Sequence, residues 1–195
     1  LKQNIFTILI LLIVSTSYAF AKSVDDILND AETHIEVFQN KEALQLLKVL
    51  ENLDRKQSAE RDYLLGRLYF SLGKFGKANE FYELANLSNS EESKYLIALA
   101  ESYFALGQIK IAKRHAEFAL RTDIDLIEAE LLLARISDRL GLRGQASNRF
   151  RHLLELQPSS EPVIVAYAKF LESRVETKSA ITAIEKFLIK YPNSP

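Results

Sequence analysis

The sequence predicts an all-α solenoid of about five antiparallel helix pairs, and three observations predict it. Gly66, Ala100, Ala134 and Ala168 form a series that steps by 34 residues. Ala78, Ala112, Ala146 and Ala180 form a second series with the same step. Two small residues held at one period mean that a single two-helix unit is copied along the chain, its helices brought close where no bulky side chain intervenes. Third, apolar residues recur at helical spacing, as in Leu64, Leu65, Leu68 and Leu72 and again in Leu96, Leu99, Tyr103 and Leu106. Each set is a stripe about one helix face wide. No alternating stretch bounded by turn residues suggests a strand.

Residues 1–21 are a different kind of text. Lys2 gives a basic start, residues 5–14 are apolar apart from Thr7, and Ala19-Phe20-Ala21 is a small-x-small ending. That order is expected of a secretory signal peptide cleaved after Ala21. The run is shorter than the roughly 20 residues that span a bilayer comfortably, which leaves an uncleaved anchor as the alternative reading. No Cys follows the apolar run, so attachment of the bacterial lipoprotein type is excluded, and the absence of Cys from the whole chain means that an exported fold does not rely on disulfides. A bacterial periplasm or envelope is the expected setting.

The repeats follow as units at about 24–57, 59–92, 93–126, 127–160 and 161–194, filling residues 22–192 and leaving no room for a second domain. The first, with Ala31, Ala43, Leu47 and Leu50, fits if one extra residue separates it from the second. The second carries Leu65-Gly66-Arg67-Leu68-Tyr69, Gly73, Ala78, Tyr82 and Ala85. The third has Leu99-Ala100, Tyr103, Gly107, Ala112, Ala116 and Ala119, and the fourth Leu133-Ala134, Gly141, Ala146, Phe150 and Pro158. A weaker fifth has Ala168, Leu171, Ala180, Ile184, Phe187 and Pro192. Gly73, Gly107 and Gly141 are placed to close first helices, since Gly tolerates the left-handed conformation there. The helical pattern restarts within a few residues, and such short connections force antiparallel neighbours. Asp25-Asp26 and Glu91-Glu92 fall at first-helix N-termini, where negative charge favours the helix dipole. Beyond Pro192, Asn193-Ser194-Pro195 reads as a helix start, with Ser as N-cap and Pro at the first helical position. The last apolar helix, with Ile181, Ile184, Phe187, Leu188 and Ile189, has no recognisable polar cap, so a continuation of the chain or a second chain, including self-association, is expected to cover it.

These residues resemble the tetratricopeptide repeat family, whose pattern is Leu-Gly-x-x-Tyr in a first helix, Ala-x-x-x-aromatic in a second and Pro at the close. Departures are the absence of Trp, and His34 and Ser137 where Tyr69 and Tyr103 stand in other units. The resemblance implies a right-handed superhelix whose first helices line a concave groove for an extended peptide or a partner helix. Carried onto this chain, it places Leu28, Tyr63, Ile97, Leu131 and Val165 on the groove, with Glu32, Arg67, Glu101, Arg135 and Lys169 one turn further. Ile35, Phe70, Phe104, Asp138 and Glu172 lie beside them, and Arg139 adds positive charge. The expected partner-binding set is Tyr63, Arg67, Phe70, Ile97, Glu101, Phe104, Leu131, Arg135, Asp138, Arg139 and Lys169. Aromatics interleaved with Arg are the material of binding hot spots. Charge runs from acidic near Asp25, Glu32 and Glu36 to basic near Arg135, Arg139 and Lys169, which would orient a charged partner. The Lys/Asn set by which some relatives grip a chaperone's C-terminal carboxylate is unmatched, since Tyr63 and Arg67 stand there.

No catalytic constellation emerges. His34, His115 and His152 belong to different units and share no metal-ligand spacing. The run from Gly73 to Ala78 lacks P-loop spacing and its final Ser/Thr. No cofactor or metal is expected. A formal charge of −1 argues against nucleic acid as the main partner, because phosphate binding needs a basic stripe. The expected function is that of a non-enzymatic, exported adaptor holding a peptide or protein in its groove. The alternative is the periplasmic arm of a larger outer-membrane system exporting polysaccharide or protein.

Overall fold

The computed structural model describes residues 22–90, 92–123, 126–174 and 176–192. The expectations placed on residues 1–21, on Glu91 and on Asn193-Ser194-Pro195 lie outside these. Among the described residues there are helices and no strand. They are α1 (Val24–Glu36), α2 (Asn40–Lys48), α3 (Arg55–Ser71), α4 (Phe75–Ser88), α5 (Ser93–Ala105), α6 (Ile109–Thr122), α7 (Ile127–Arg139), α8 (Arg143–Leu156), α9 (Glu161–Glu172) and α10 (Thr177–Lys190).

Local chemistry sets the starts and stops. Ser23 caps α1 in a box with Asp26, and Asp54 caps α3 in a box with Gln57, whose backbone N–H donates to Asp54 Oδ1 at 2.7 Å. At the other end, α3, α5 and α7 close in the same way. Gly73, Gly107 and Gly141 take φ of 70°, 76° and 73°, and the residue after each donates back to Tyr69, Tyr103 and Ser137 respectively. That paired bonding satisfies carbonyls that a helix end leaves orphaned. Helix α1 closes identically, with Gln39 N–H donating to the His34 carbonyl, but the left-handed residue is Phe38, at φ 59°.

The small-residue lattice is where the backbones meet. Ala78, Ala100, Ala112, Ala134 and Ala146 are fully buried. A Cβ added to Gly66 would stand 2.4 Å from Cδ1 and Cε1 of the Tyr82 ring, so nothing larger than glycine lets α3 lie against α4. Each helix packs on its hairpin partner, each second helix packs on the next first helix, and successive first helices touch along one face. Among the described residues, contacts run between neighbours only, and α10 packs on α9 alone.

Two sequence expectations need correction. Leu72 and Leu106 extend the apolar stripes on paper, yet they are 44% and 39% exposed. Each is the residue at which its helix ends, past the last packed turn. The second hairpin also begins earlier than residue 59. The Asp54 cap starts α3 at Arg55 and gives it 17 residues against 13 in α1, α5 and α7.

Candidate functional site

Two cavities run along the face formed by the first helices, and Glu101 belongs to both. The N-terminal cavity, about 420 Å³, is walled by α1, α3, α5 and the start of α7, with Ile35, Glu36, Phe38, Tyr63, Arg67, Phe70, Tyr82, Ile97, Glu101 and Glu128 among its lining. The C-terminal cavity, about 540 Å³, lies between α5, α7 and α9, with Phe104, Leu131, Arg135, Asp138, Arg139, Pro162, Val165, Lys169 and Phe170. Helical geometry makes this possible. Residues one unit apart occupy the same place on successive first helices, so a column of like positions becomes a wall.

All eleven residues of the expected set line one cavity or the other. Leu28 does not. It sits at the register position of Tyr63 and Leu131 but is buried among Leu47, Leu64 and Leu68, in the core between the first hairpin and α3. Glu172 lines a smaller hollow at the end of the solenoid with Val165 and Ile184 instead. Sequence reasoning missed Phe38, Glu128, Pro162 and Phe170. For Phe38 a signal existed, since it holds the place taken by Gly73 in the next unit.

The charged column is arranged unevenly. Arg67 bonds to Glu32, approaches Glu36 at 3.9 Å, and stands 5.8 Å from the Tyr63 ring centroid. Arg135 is laid over Phe104, its guanidinium carbon 4.9 Å from the ring centroid. Arg174 donates to Asp138 at 2.6 Å and covers Phe170 at 4.4 Å. Glu101 accepts no hydrogen bond from any described residue. Burial raises its carboxyl above the usual range and Glu128 adds to this, while Arg135 opposes it. Burial likewise pushes the Tyr63 hydroxyl up, against the pull of Arg67.

The aromatic residues do two jobs. Phe70 meets Phe75 edge-on at 5.0 Å and packs beside the buried Tyr82 and Leu99, while Phe104 packs against the core formed by α5, α6 and α7. Their remaining surface faces the cavities. Two of the imidazoles are engaged locally: His115 stacks on Tyr103 at 5.4 Å and His34 bonds to Gln39. Among the described residues, no group of three or more His, Cys, Asp or Glu could hold a metal ion. No described helix is long and apolar enough to cross a membrane. The groove offers shape, aromatic surface and separated charge, which is the equipment of recognition.

No family model matches the sequence, and no curated protein matches it. Solved structures do match. A thermophilic TPR protein of Thermus thermophilus is 20% identical, with a TM-score of 0.77 over 88% of this chain and 93% of that one. MamA from AMB-1 is 18% identical, with a TM-score of 0.62 over 83% and 95% of the two chains. The TPR domain of Arabidopsis OM64 is 22% identical, with a TM-score of 0.56 over 62% and 99%. The fold is the all-α solenoid of tetratricopeptide repeats.

Proposed function

We propose that this repeat solenoid is an interaction scaffold that holds a peptide or a partner helix in its concave groove. One observation carries the reading: two adjoining cavities, aromatic on their walls, meet at Glu101, with acidic residues concentrated on the N-terminal side and basic ones on the C-terminal side. A groove of that kind fixes the direction in which a charged segment lies, because reversal would set like charges together. The work is binding, not chemistry. The setting we propose is a bacterial envelope, on the strength of the signal-like order of Lys2, the apolar run and Ala19-Phe20-Ala21.

Recovery of partners from envelope extracts tests this. Replacing Arg67, Phe70, Phe104 and Arg135 together by Ala is expected to lose them. Since Phe70 and Phe104 also pack, the charge reversals Arg139→Glu and Lys169→Glu, at exposed positions, serve as a second variant with helicity checked by circular dichroism. Partners retained by both variants would overturn the groove assignment.

A second reading, the arm of a larger outer-membrane export assembly, is favoured by one feature. Ile184 holds the register position of Tyr82, Ala116 and Phe150, each of which the following unit buries, yet Ile184 is exposed together with Ile181 and Leu188. A further element packed in register would complete the stack there.

A further inference from the structure

We propose that the N-terminal cavity is a seat for an arginine side chain of the bound peptide, which lays its guanidinium on the Phe70 ring and directs it at the Glu101 carboxylate. The inference rests on the reading that the groove takes a peptide, and names the residue it recognises.

The repeat itself supplies the argument. Phe104 and Arg135 are a ring and a cation from successive first helices, with the guanidinium 4.9 Å from the ring centroid. One unit earlier, the same two positions are Phe70 and Glu101. Both line the N-terminal cavity. The ring is kept, but the chain's own cation is replaced by a carboxylate. A half-exposed aromatic face with a carboxylate beside it attracts a cation on two counts, through the ring quadrupole and through the charge.

The cavity's own charges do not fill the place. Arg67, the cation of its lining, is committed to Glu32, with Glu36 at 3.9 Å. Arg135 lies on Phe104 without a hydrogen bond to Glu101. Within this cavity Glu36, Glu101 and Glu128 share one guanidinium that is already paired, and Arg135 acts on Glu101 only through space from the adjoining cavity. Glu101 is half-buried on the cavity wall with no hydrogen-bonded partner among the described residues, which leaves its carboxylate open to accept from a ligand. Arginine fits better than lysine because its planar fork both stacks on a ring and offers a carboxylate two N–H groups.

Phe38 points the same way. It is 78% exposed at the cavity and holds a left-handed backbone, φ 59°, at the place where later units have glycine. A strained backbone that keeps a large aromatic in water is retained where that ring has something to touch. It provides a second aromatic wall for the incoming side chain.

The test begins with a random peptide library displayed on phage and selected on the folded protein. Binders are assigned to the groove if they are lost on the Arg139→Glu, Lys169→Glu variant. The seat predicts arginine at one fixed position of these peptides. Replacing it by citrulline, which keeps the shape and removes the charge, is expected to weaken binding to the wild type by about tenfold or more, and to have little further effect on Glu101→Gln. Glu101→Arg, which places the next unit's cation over Phe70, is expected to block the peptide while helicity is kept. Groove-bound peptides without an arginine preference overturn the seat and leave the groove reading intact. So does equal loss on citrulline replacement in the wild type and in Glu101→Gln. A library that yields no groove-bound peptide removes the groove reading, and the seat with it.

Discussion

Gly66 decides how closely α3 and α4 approach, and its substitution is the sharpest test of the packing. Gly66→Ala is expected to cost roughly 1–3 kcal/mol by overpacking, read from the shift in a urea or thermal midpoint. Because the clash is with Cδ1 and Cε1 of the ring, Tyr82→Phe is not expected to relieve it. Phe38→Gly should act in the opposite direction, stabilising by about 0.5–1 kcal/mol as left-handed strain is released, while weakening peptide binding. Glu101 gives a pH prediction. Its carboxyl is raised in the folded protein by burial first, with Arg135 opposing. A raised group binds its proton more tightly when folded, so its favourable contribution is present at low pH and is lost as pH rises through the raised value. Glu101→Gln should therefore be more stable than the wild type at neutral pH, and the two should converge in acid. A wild type that loses stability relative to Glu101→Gln on acidification would contradict this. The small residues were legible in the sequence because a 34-residue step is too long to arise from one helix. Glu128 was not, since α7 brings its first turn to the cavity from the following unit, a placement that depends on how the hairpins stack.

At the level of elements, the strictness of the lattice depends on what stands opposite each small residue. Gly66 faces the large Tyr82, whereas Ala100 has Ala116 at the equivalent position, and Ala112, Ala116 and Ala119 leave α6 a wholly buried face of small residues. Two first helices close on it from either side. Ala112→Leu is expected to destabilise by roughly 1–3 kcal/mol, the same order as Gly66→Ala, and to lower the thermal midpoint without loss of helix type. Periodicity revealed these faces. It did not by itself mark the helix ends, which Gly73 and Gly107 marked instead, because apolar residues continue past the last packed turn: Leu72 and Leu106 keep the stripe's spacing but sit where the chain leaves the helix. The early start of α3 was equally hidden. Asp54 with Gln57 is a capping pair at the right separation, and it outweighs the repeat frame. Asp54→Ala should cost about 0.5–2 kcal/mol, with amides of the first turn of α3 exchanging faster.

For the molecule as a whole, contacts that run between neighbours alone among the described residues make stability a sum of hairpin terms and interface terms, so the hairpins need not open together. Interior hairpins are covered on both sides. The last is covered on one: among the described residues α10 touches only α9, with Ile181, Ile184, Leu188 and Ile189 left in water. Native-state hydrogen exchange is therefore expected to show α10 opening first, and α5 to α7 last. Uniform protection from α1 to α10 would mean that the array unfolds as one unit, and the one-dimensional account would fail. The same measurement separates the two functional readings. A peptide held in the groove bridges α1 to α9 through the column of first helices, and should raise protection there while leaving α10 nearly as it was. A partner that completes the stack covers Ile184 and Leu188, and should raise α10 toward the level of α6 and α8, where the next unit already buries Ala116 and Phe150, the equivalents of Ile184.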